Sequence, residues 1–211
     1  MFDLLLDFLF PRRSLTGKDG QWITPAERSR LKTYPVIERE EILRKRGLKY
    51  LDTLRAASAY RDCPLLKKAI QTFKYGRVRS LAGDLAALID TVAPPLKDAV
   101  LCPVPLHWTR LVMRGFNQSE LLADAVSARR HLPVQKLLKR VRSTGHQALR
   151  PGRSERFMAI EGAFRCTTKN VPACVILIDD LSTTGATLDA CAKVLKETGV
   201  QKVEAWVVAH G

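Results

Sequence analysis

The stretch "VILIDDLSTTGATLDAC", Val175 to Cys191, joins an apolar run, two adjacent aspartates and a group of small, mostly hydroxylated residues. A near-continuous apolar run is typical of a strand that is buried on both faces of a parallel sheet. Apolar residues then recur at helical spacing from Leu188, and Gly199 marks the end of that helix. The stretch therefore predicts a strand, a turn and a helix within a parallel α/β sheet.

The turn between this strand and this helix is predicted to bind a phosphate group. Backbone N–H groups at the start of a helix bind anions, and a glycine lets the backbone approach the anion closely. Threonine hydroxyls add further donors to phosphate oxygens. The turn lacks both the G-K-[ST] ending of a Walker loop and a G-x-G-x-x-G pattern. The predicted phosphate-binding residues are Leu181, Ser182, Thr183, Thr184, Gly185, Ala186 and Thr187.

Two carboxylates, Asp179 and Asp180, stand directly before this turn. Ligands of open parallel sheets bind beyond the carboxyl ends of the strands, where these two residues are expected. Carboxylates accept hydrogen bonds from hydroxyl groups. A ligand with both a phosphate and a vicinal diol, such as ribose 5-phosphate, satisfies both halves of the stretch. The alternative is a strand that merely ends in acidic residues before an ordinary capped helix.

Composition limits the class of protein. The 211 residues are 46% apolar, which suits one domain, or one domain with a small appendage, and excludes a disordered chain. The five cysteines form no C-x-x-C pair, which predicts free thiols in a reducing compartment. The opening "MFDLLLDFLF" contains Asp3 and Asp7 and is too short to span a bilayer. We therefore expect no membrane span and a cytoplasmic location.

The charge is strongly basic, with 35 Lys and Arg against 21 Asp and Glu, a net +14. Between Arg129 and Arg156 there are nine Lys or Arg and one Glu. This balance favours polyanionic partners such as phosphorylated metabolites or nucleic acid, and the alternative is a solvated surface. Aromatic residues make up only 7% of the chain, and the sequence indicates no strong stacking platform for single-stranded nucleic acid.

The remaining pattern predicts the fold class: an α/β protein with a parallel, twisted sheet flanked by helices. Residues 1–35 look irregular and residues 36–58 have helical composition, so a small, mostly helical N-terminal region over 1–64 is predicted before a main domain over 65–211. The predicted helices are 65–73, 81–92, a helix that is capped by Asn117 with Glu120, and a helix that starts near Leu188. The predicted strands are 99–106, 134–138, 163–166, 174–180 and 202–210.

A hydrophobic strand followed by D-D, two residues and T-T-G-x-T resembles the phosphoribosyl-pyrophosphate (PRPP) signature of type I phosphoribosyltransferases. Three further segments resemble the ComF (GntX-like) branch: "FKYGR" (73–77), "PVPLHWTRLVMRGFNQSELLA" (103–123) and "RVRSTGHQALRPGRSERFMAIEGAF" (140–164). The resemblance covers most of residues 65–211. It implies a type I phosphoribosyltransferase fold and a role linked to competence and to the handling of incoming single-stranded DNA.

The resemblance also implies roles for residues. Asp179 and Asp180 would be catalytic, by proton transfer or by steadying the ribose, and the residues alone do not separate these roles. Mg²⁺ would arrive bound to PRPP rather than in a protein metal site. Two loops would contact pyrophosphate. In the first, Pro105–Gly115, Arg114 is the leading candidate, followed by Arg110 and Gly115. The second, residues 142–156, resembles the flexible loop of these enzymes and would use Arg142, Gln147 and Arg153. PRPP or ribose 5-phosphate is the implied ligand, and single-stranded DNA, a protein of the competence machinery or a second copy of the chain are further partners to consider.

The sequence departs from this family near its start. ComF-like proteins usually carry a small zinc module there, whereas Ser14, Gly17, Thr24 and Glu27 stand about where its cysteines belong. A structural zinc needs four N or S ligands, so the sequence predicts a degenerate module with no zinc. Three functional hypotheses remain: a Mg²⁺- and PRPP-dependent transferase, a non-catalytic nucleic-acid-handling protein on the same fold, or an inactive relic. The intact aspartates and threonines argue against the third, and the acceptor base stays unnamed.

Overall fold

A computed structural model describes residues 13–19, 21–31, 33–76, 78–142 and 158–211. The strands in this part of the chain are β1 (Val36–Arg39), β2 (Thr53–Ala59), β3 (Val100–Pro103), β4 (Leu138–Arg140), β5 (Phe164–Cys166), β6 (Cys174–Ser182) and β7 (Lys202–His210). The helices are α1 (Pro25–Arg30), α2 (Glu40–Lys45), α3 (Pro64–Tyr75), α4 (Leu81–Asp90), α5 (Trp108–Arg114), α6 (Gln118–Arg130) and α7 (Ala186–Thr198).

Five strands form the central sheet, in the order β1-β2-β7-β6-β3. The pairings β2–β7, β7–β6 and β6–β3 are parallel, and only the edge strand β1 runs antiparallel. Strands β4 and β5 make a separate antiparallel pair. This mixed α/β architecture with a mostly parallel sheet confirms the predicted fold class.

The apolar run of β6 supplies both halves of the core, because successive side chains of a strand point to opposite faces. Ile176 and Ile178 pack on one side with residues of α3, α4 and α6, while Val175 and Leu177 pack on the other with residues of α7. All four side chains are fully buried. The sheet is therefore covered on both faces, as parallel sheets require.

The helices predicted from apolar spacing are confirmed as α3, α4, α6 and α7. Pro64 occupies the first turn of α3, where the missing N–H is harmless, and Gly199 ends α7 with a φ of 115°. Asn117 caps α6, since its side chain accepts from the Ser119 N–H at 3.1 Å. The Asn117 amide also donates to the Val104 carbonyl at 3.1 Å, so the cap ties the start of α6 to the segment after β3.

The prediction of helix over residues 36–58 is wrong for most of that segment, which forms β1, the short α2 and β2. β2 gains its stability from pairing with β7, a partner far along the chain that local composition does not reveal. Residues 1–35 are also less irregular than expected, since α1 lies within them. Near Val134 the predicted strand is reduced to a single bridge with Leu101, and pairing resumes only at β4.

The sheet thus includes residues on both sides of the predicted domain boundary after residue 64. β2 precedes that boundary, yet it is hydrogen-bonded along its length to β7. The boundary stays a prediction, and it does not coincide with an edge of the sheet. The described cysteines are all free, and no described helix is long and apolar enough to cross a membrane.

Near the start of the described chain, the Glu27 carboxylate joins two turns. It accepts from the Ser14 hydroxyl at 2.8 Å, from the Thr16 N–H at 2.5 Å and from the Thr24 N–H at 2.7 Å. Burial opposes the charge, but these hydrogen bonds outweigh burial and lower the pKa of Glu27 to about 2. Gly17, with a φ of 94°, makes the first turn. Three of the four positions expected for zinc ligands, Ser14, Thr24 and Glu27, are therefore joined by side-chain hydrogen bonds, and the link to a zinc module stays a prediction.

Candidate functional site

Asp179 and Asp180 lie near the carboxyl end of β6, at the edge of the sheet where ligands of α/β proteins bind. The Asp179 carboxylate accepts from the Ser119 hydroxyl at 2.8 Å and from the Asp180 N–H at 2.9 Å. The Asp180 carboxylate, 4% exposed as a residue, forms an ion pair with Lys74 Nζ at 2.7 Å. Each aspartate is thus held by a different helix, Asp179 by α6 and Asp180 by α3.

The two carboxylates have different electrostatic surroundings. Burial, followed by the adjacent charge of Asp180, raises the pKa of Asp179 to about 6, although Lys74 and the Ser119 hydroxyl act in the opposite direction. The pKa of Asp179 is therefore nearer to neutral pH than that of an ordinary aspartate. A carboxylate poised in this way can accept a hydrogen bond from a ligand hydroxyl or take up a proton.

Three arginines line the same cavity as the two aspartates, which has a volume of 150 Å³ and is called here the carboxylate cavity. Arg110 and Arg114 lie on α5, and Arg140 lies at the end of β4. Burial, together with the nearby charge of Arg110, lowers the pKa of Arg140. An anion bound between these arginines would relieve their mutual repulsion. With Lys74, the cavity places four cations around two carboxylates.

Two of the residues lining the carboxylate cavity have buried polar atoms that lack a hydrogen-bond partner among the described residues. Arg114 donates from Nη1 to the Gln118 side-chain oxygen at 2.8 Å, but its Nε and the Gln118 Nε2 make no such bond. Both atoms are donors. Buried donors without a partner are costly, so an acceptor such as a phosphate oxygen would stabilise this corner of the cavity.

The predicted phosphate-binding segment Ser182–Thr187, called here the phosphate loop, contains the last residue of β6, the turn 183–185 and the first two residues of α7. Gly185 has a φ of 82°, and a Cβ there would lie 2.8 Å from Leu48 Cδ1, so glycine is required both for the conformation and for the close approach. Asp189, in the first turn of α7, accepts from the N–H groups of residues 49–51 at 2.7 to 3.0 Å. The segment after α2 is therefore packed tightly against this loop.

The structure brings six of the predicted site residues into the carboxylate cavity: Asp179, Asp180, Leu181, Thr187, Arg110 and Arg114. Thr183 and Thr184 line a different cavity of 580 Å³, which they share with Tyr60, Arg61, Pro64, Lys67 and Gly211. Ser182 and Gly185 are buried within the loop, and Ala186 lines a third cavity near Tyr50 and Lys193.

Four further predicted residues lie elsewhere or outside the described residues. Gly115 ends α5 with a φ of 78°, and its carbonyl accepts from Arg79 at 3.2 Å. Arg142 is exposed and donates to the carbonyls of Ala159 and Glu161, so it does not line the carboxylate cavity. Gln147 and Arg153 fall outside the described residues.

Four polar or charged residues that line the carboxylate cavity were not predicted from the sequence: Lys74, Gln118, Ser119 and Arg140. A signal existed for each of them, because all four lie in segments that resemble the ComF branch. Lys74 lies inside "FKYGR", Gln118 and Ser119 follow Asn117, and Arg140 begins the segment 140–164. The roles of the first three as partners of Asp180, Arg114 and Asp179 depend on helix packing, which the motifs do not specify.

Within the described ranges, no group of three or more His, Cys, Asp or Glu residues is arranged to hold a metal ion. The two aspartates are oxygen ligands of the kind that Mg²⁺ accepts, but their partners here are Lys74 and Ser119. The arrival of Mg²⁺ with the oxygens of a bound pyrophosphate stays a prediction.

Comparison with known proteins identifies relatives in several bacteria, of which three are described below. The competence protein ComFC of Bacillus subtilis is 34% identical over 152 residues, which is 69% of this chain and 58% of that protein. Competence protein F of Haemophilus influenzae is 34% identical over 119 residues, which is 54% of this chain and 51% of that protein. The DNA utilization protein YhgH of Escherichia coli O157:H7 is 30% identical over 156 residues, which is 70% of this chain and 68% of that protein.

The match thus spans little more than half the length of the two competence proteins. No model of a known protein family matches the chain. Among solved structures, glutamine PRPP amidotransferase from B. subtilis, complexed with ADP and GMP, superposes with a TM-score of 0.42 at 17% identity, over 62% of this chain and 26% of that one. The allosteric regulatory enzyme of purine biosynthesis gives a TM-score of 0.41, also at 17% identity, with the same shares of the two chains.

Proposed function

We propose a function for this chain, which belongs to the family of the competence protein ComFC and the DNA utilization protein YhgH. It binds PRPP and transfers the phosphoribosyl group to a nitrogen acceptor. The phosphate loop binds the 5′-phosphate, Asp179 and Asp180 accept hydrogen bonds from the ribose hydroxyls, and the arginines of the carboxylate cavity bind the pyrophosphate.

The observation that carries this proposal is the composition of the carboxylate cavity. Two carboxylates and four cationic side chains line this cavity of 150 Å³, next to the turn that leads into α7. A ligand with only phosphates would meet repulsion from the carboxylates, and a ligand with only hydroxyls would leave the arginines without an anion. PRPP presents both kinds of group, with hydroxyls on C2 and C3 of the ribose between a pyrophosphate on C1 and a phosphate on C5.

The chemistry follows from where charge develops. As the C1–O bond of the ribose breaks, positive charge grows on the ring and negative charge grows on the departing pyrophosphate. The carboxylates of Asp179 and Asp180 favour the first, and Arg110, Arg114 and Arg140 favour the second. Bound Mg²⁺ would supply further neutralisation of the pyrophosphate charge. The protein otherwise orients the two reactants, and the raised pKa of Asp179 suits that residue to accept a proton from the attacking nitrogen.

Calorimetric titration of PRPP with Mg²⁺ tests the binding step. Wild type is expected to bind, and Asp180→Ala is expected to lose at least about tenfold in affinity, since hydrogen bonds to a charged group are worth about 1.5–3 kcal/mol each. Asp124→Ala is the matched control because Asp124 is exposed on α6, away from the cavity. No PRPP binding by wild type, or equal loss in both variants, would contradict the proposal.

Pyrophosphate release across a panel of nitrogen nucleophiles tests the transfer step. Release that depends on one class of acceptor and disappears in Asp180→Ala is the expected result. Binding of PRPP without release by any acceptor would reduce the proposal to a PRPP-binding protein.

A second candidate is nucleic-acid handling on the same fold, with PRPP as a ligand or signal. The names of the relatives, competence protein and DNA utilization protein, favour it, together with the net charge of +14. If basic residues hold the phosphates of single-stranded DNA, the binding constant will fall steeply as salt rises. A mobility assay at several salt concentrations measures this slope, and an absence of binding at low salt removes the candidate.

A further inference from the structure

The phosphate loop is held from one side by groups that lie outside the carboxylate cavity. The Ser182 carbonyl accepts from His210 Nδ1 at 3.0 Å. The next two carbonyls, those of Thr183 and Thr184, both accept from Arg46 Nη2, at 3.2 and 3.4 Å. Three consecutive carbonyl groups are therefore bound by two side chains, which come from the turn after α2 and from the end of β7.

The direction of these carbonyls fixes the direction of the N–H groups that follow them. In a planar trans peptide, the C=O of one residue and the N–H of the next point to opposite sides. Because the Thr183 and Thr184 carbonyls point toward Arg46, the N–H groups of Thr184 and Gly185 point away from it. Neither N–H has an acceptor among the described residues. Successive N–H groups that face one way form a concave anion-binding site.

Arg46 is itself held firmly. It forms an ion pair with Glu38, and its Nη1 lies 2.9 Å from His210 Nε2. The side chains are 20% exposed for Arg46, 13% for Glu38 and 12% for His210. An arginine that donates to Nε2 requires a neutral ring with its proton on Nδ1, which is the atom that faces the Ser182 carbonyl. Burial and the Arg46 charge lower the pKa of His210, which favours this neutral form.

We propose that Arg46 is a positioning residue, which orients the Thr184 and Gly185 N–H groups toward a bound 5′-phosphate. Its planar guanidinium can donate to two carbonyls and to the His210 ring at once, which a lysine ammonium on a flexible stem does not reproduce. This inference rests on the proposed function of the phosphate loop. It also gives the segment before residue 64 a direct part in building the site.

The test compares Arg46→Lys with Lys45→Met, a control at the neighbouring position, where the side chain is 75% exposed. In the ligand-free protein, the NMR signals of the Thr184 and Gly185 amides are expected to move in Arg46→Lys and to stay in place in Lys45→Met. The affinity for ribose 5-phosphate is expected to fall about tenfold in Arg46→Lys, because hydrogen bonds to a charged donor are lost. The affinity for inorganic pyrophosphate is expected to stay unchanged, because the arginines that would bind it are untouched.

The outcomes separate the inference from its premise. If wild type binds no ribose 5-phosphate, the proposed function fails, while the amide shifts of the ligand-free protein still report whether Arg46 orients the loop. If wild type binds and Arg46→Lys binds equally well, the inference fails alone. An equal loss of affinity for both ligands would indicate a general structural role and would also overturn it. Should Arg46→Lys not fold, Glu38→Gln offers the same comparison, since it loosens Arg46 without removing it.

Discussion

Asp179→Asn is predicted to stabilise the ligand-free protein while it weakens ribose recognition. Burial and the charge of Asp180 raise the pKa of Asp179 from 3.8 to about 6, so the folded state holds this carboxylate in its charged form at a cost. Each pKa unit corresponds to about 1.4 kcal/mol, which gives at most about 3 kcal/mol above neutral pH. Asparagine has nearly the same shape, and its side-chain oxygen can still accept the hydrogen bond from Ser119.

The stability that Asp179→Asn gains over wild type is expected to decrease as the pH falls. Because the pKa of Asp179 is higher in the folded state than in the unfolded state, the folded state binds the proton more tightly between 3.8 and about 6. Wild type therefore recovers stability as the pH falls through this interval, whereas Asp179→Asn has no such proton to bind. The advantage of the variant is full above the folded pKa and vanishes below the unfolded one.

Urea unfolding at about pH 8 and about pH 4 measures this difference. Asp179→Asn is expected to be more stable than wild type at the higher pH and to lose most of that advantage at the lower, which is close to the unfolded pKa of 3.8. Asp124→Asn, at an exposed position on α6, controls for the general effect of removing a negative charge. A variant that is less stable than wild type at the higher pH, or a stability difference that is the same at both pH values, would contradict a raised pKa of Asp179 in the folded state.

Three further perturbations have defined outcomes. Lys74→Met is expected to lower the free energy of unfolding by about 3 kcal/mol in urea titration, because it leaves the Asp180 carboxylate buried without its partner. The double variant with Asp180→Asn is expected to regain most of that stability. Gly185→Ala is expected to lose about 1–2 kcal/mol, since alanine is strained at a φ of 82° and its Cβ would press on Leu48, and no loss would contradict the observed loop. Glu27→Gln is expected to lower the free energy of unfolding by about 2 kcal/mol at neutral pH. The greater stability of wild type is complete above the unfolded pKa of 4.5 and is lost as the pH falls through the folded pKa of about 2. A stability difference that persists in acid would argue against the hydrogen-bonded carboxylate.

The sequence predicted the part of the fold whose signals are local. The apolar run of 175–178 and the helical spacing after Leu188 are properties of neighbouring residues, and both elements are present as expected. The need for glycine at 185 was likewise readable, because a tight turn before a helix restricts φ. Strand β2 was missed because its stability comes from pairing with β7, which no local pattern encodes.

Only part of the candidate site could be predicted from the sequence, for the same reason. Asp179 and Asp180 follow directly from the motif, but their partners Ser119 and Lys74 come from two other helices. Arg46 gave no sequence signal, since it lies in a charged run that looks like solvated helix. Contacts between distant segments depend on how the helices pack on the sheet, and motif spacing carries no information about that packing.

The most direct test of the central claim compares ribose 5-phosphate with 2-deoxyribose 5-phosphate by calorimetry. The two ligands share the phosphate and differ by one hydroxyl, which is proposed to donate a hydrogen bond to Asp179 or Asp180. Wild type is predicted to bind ribose 5-phosphate about tenfold more tightly, because the deoxy ligand loses a hydrogen bond to a charged acceptor, and Asp180→Ala is predicted to narrow that difference. Equal affinity of wild type for the two sugars would contradict the assignment of the carboxylates to the ribose hydroxyls.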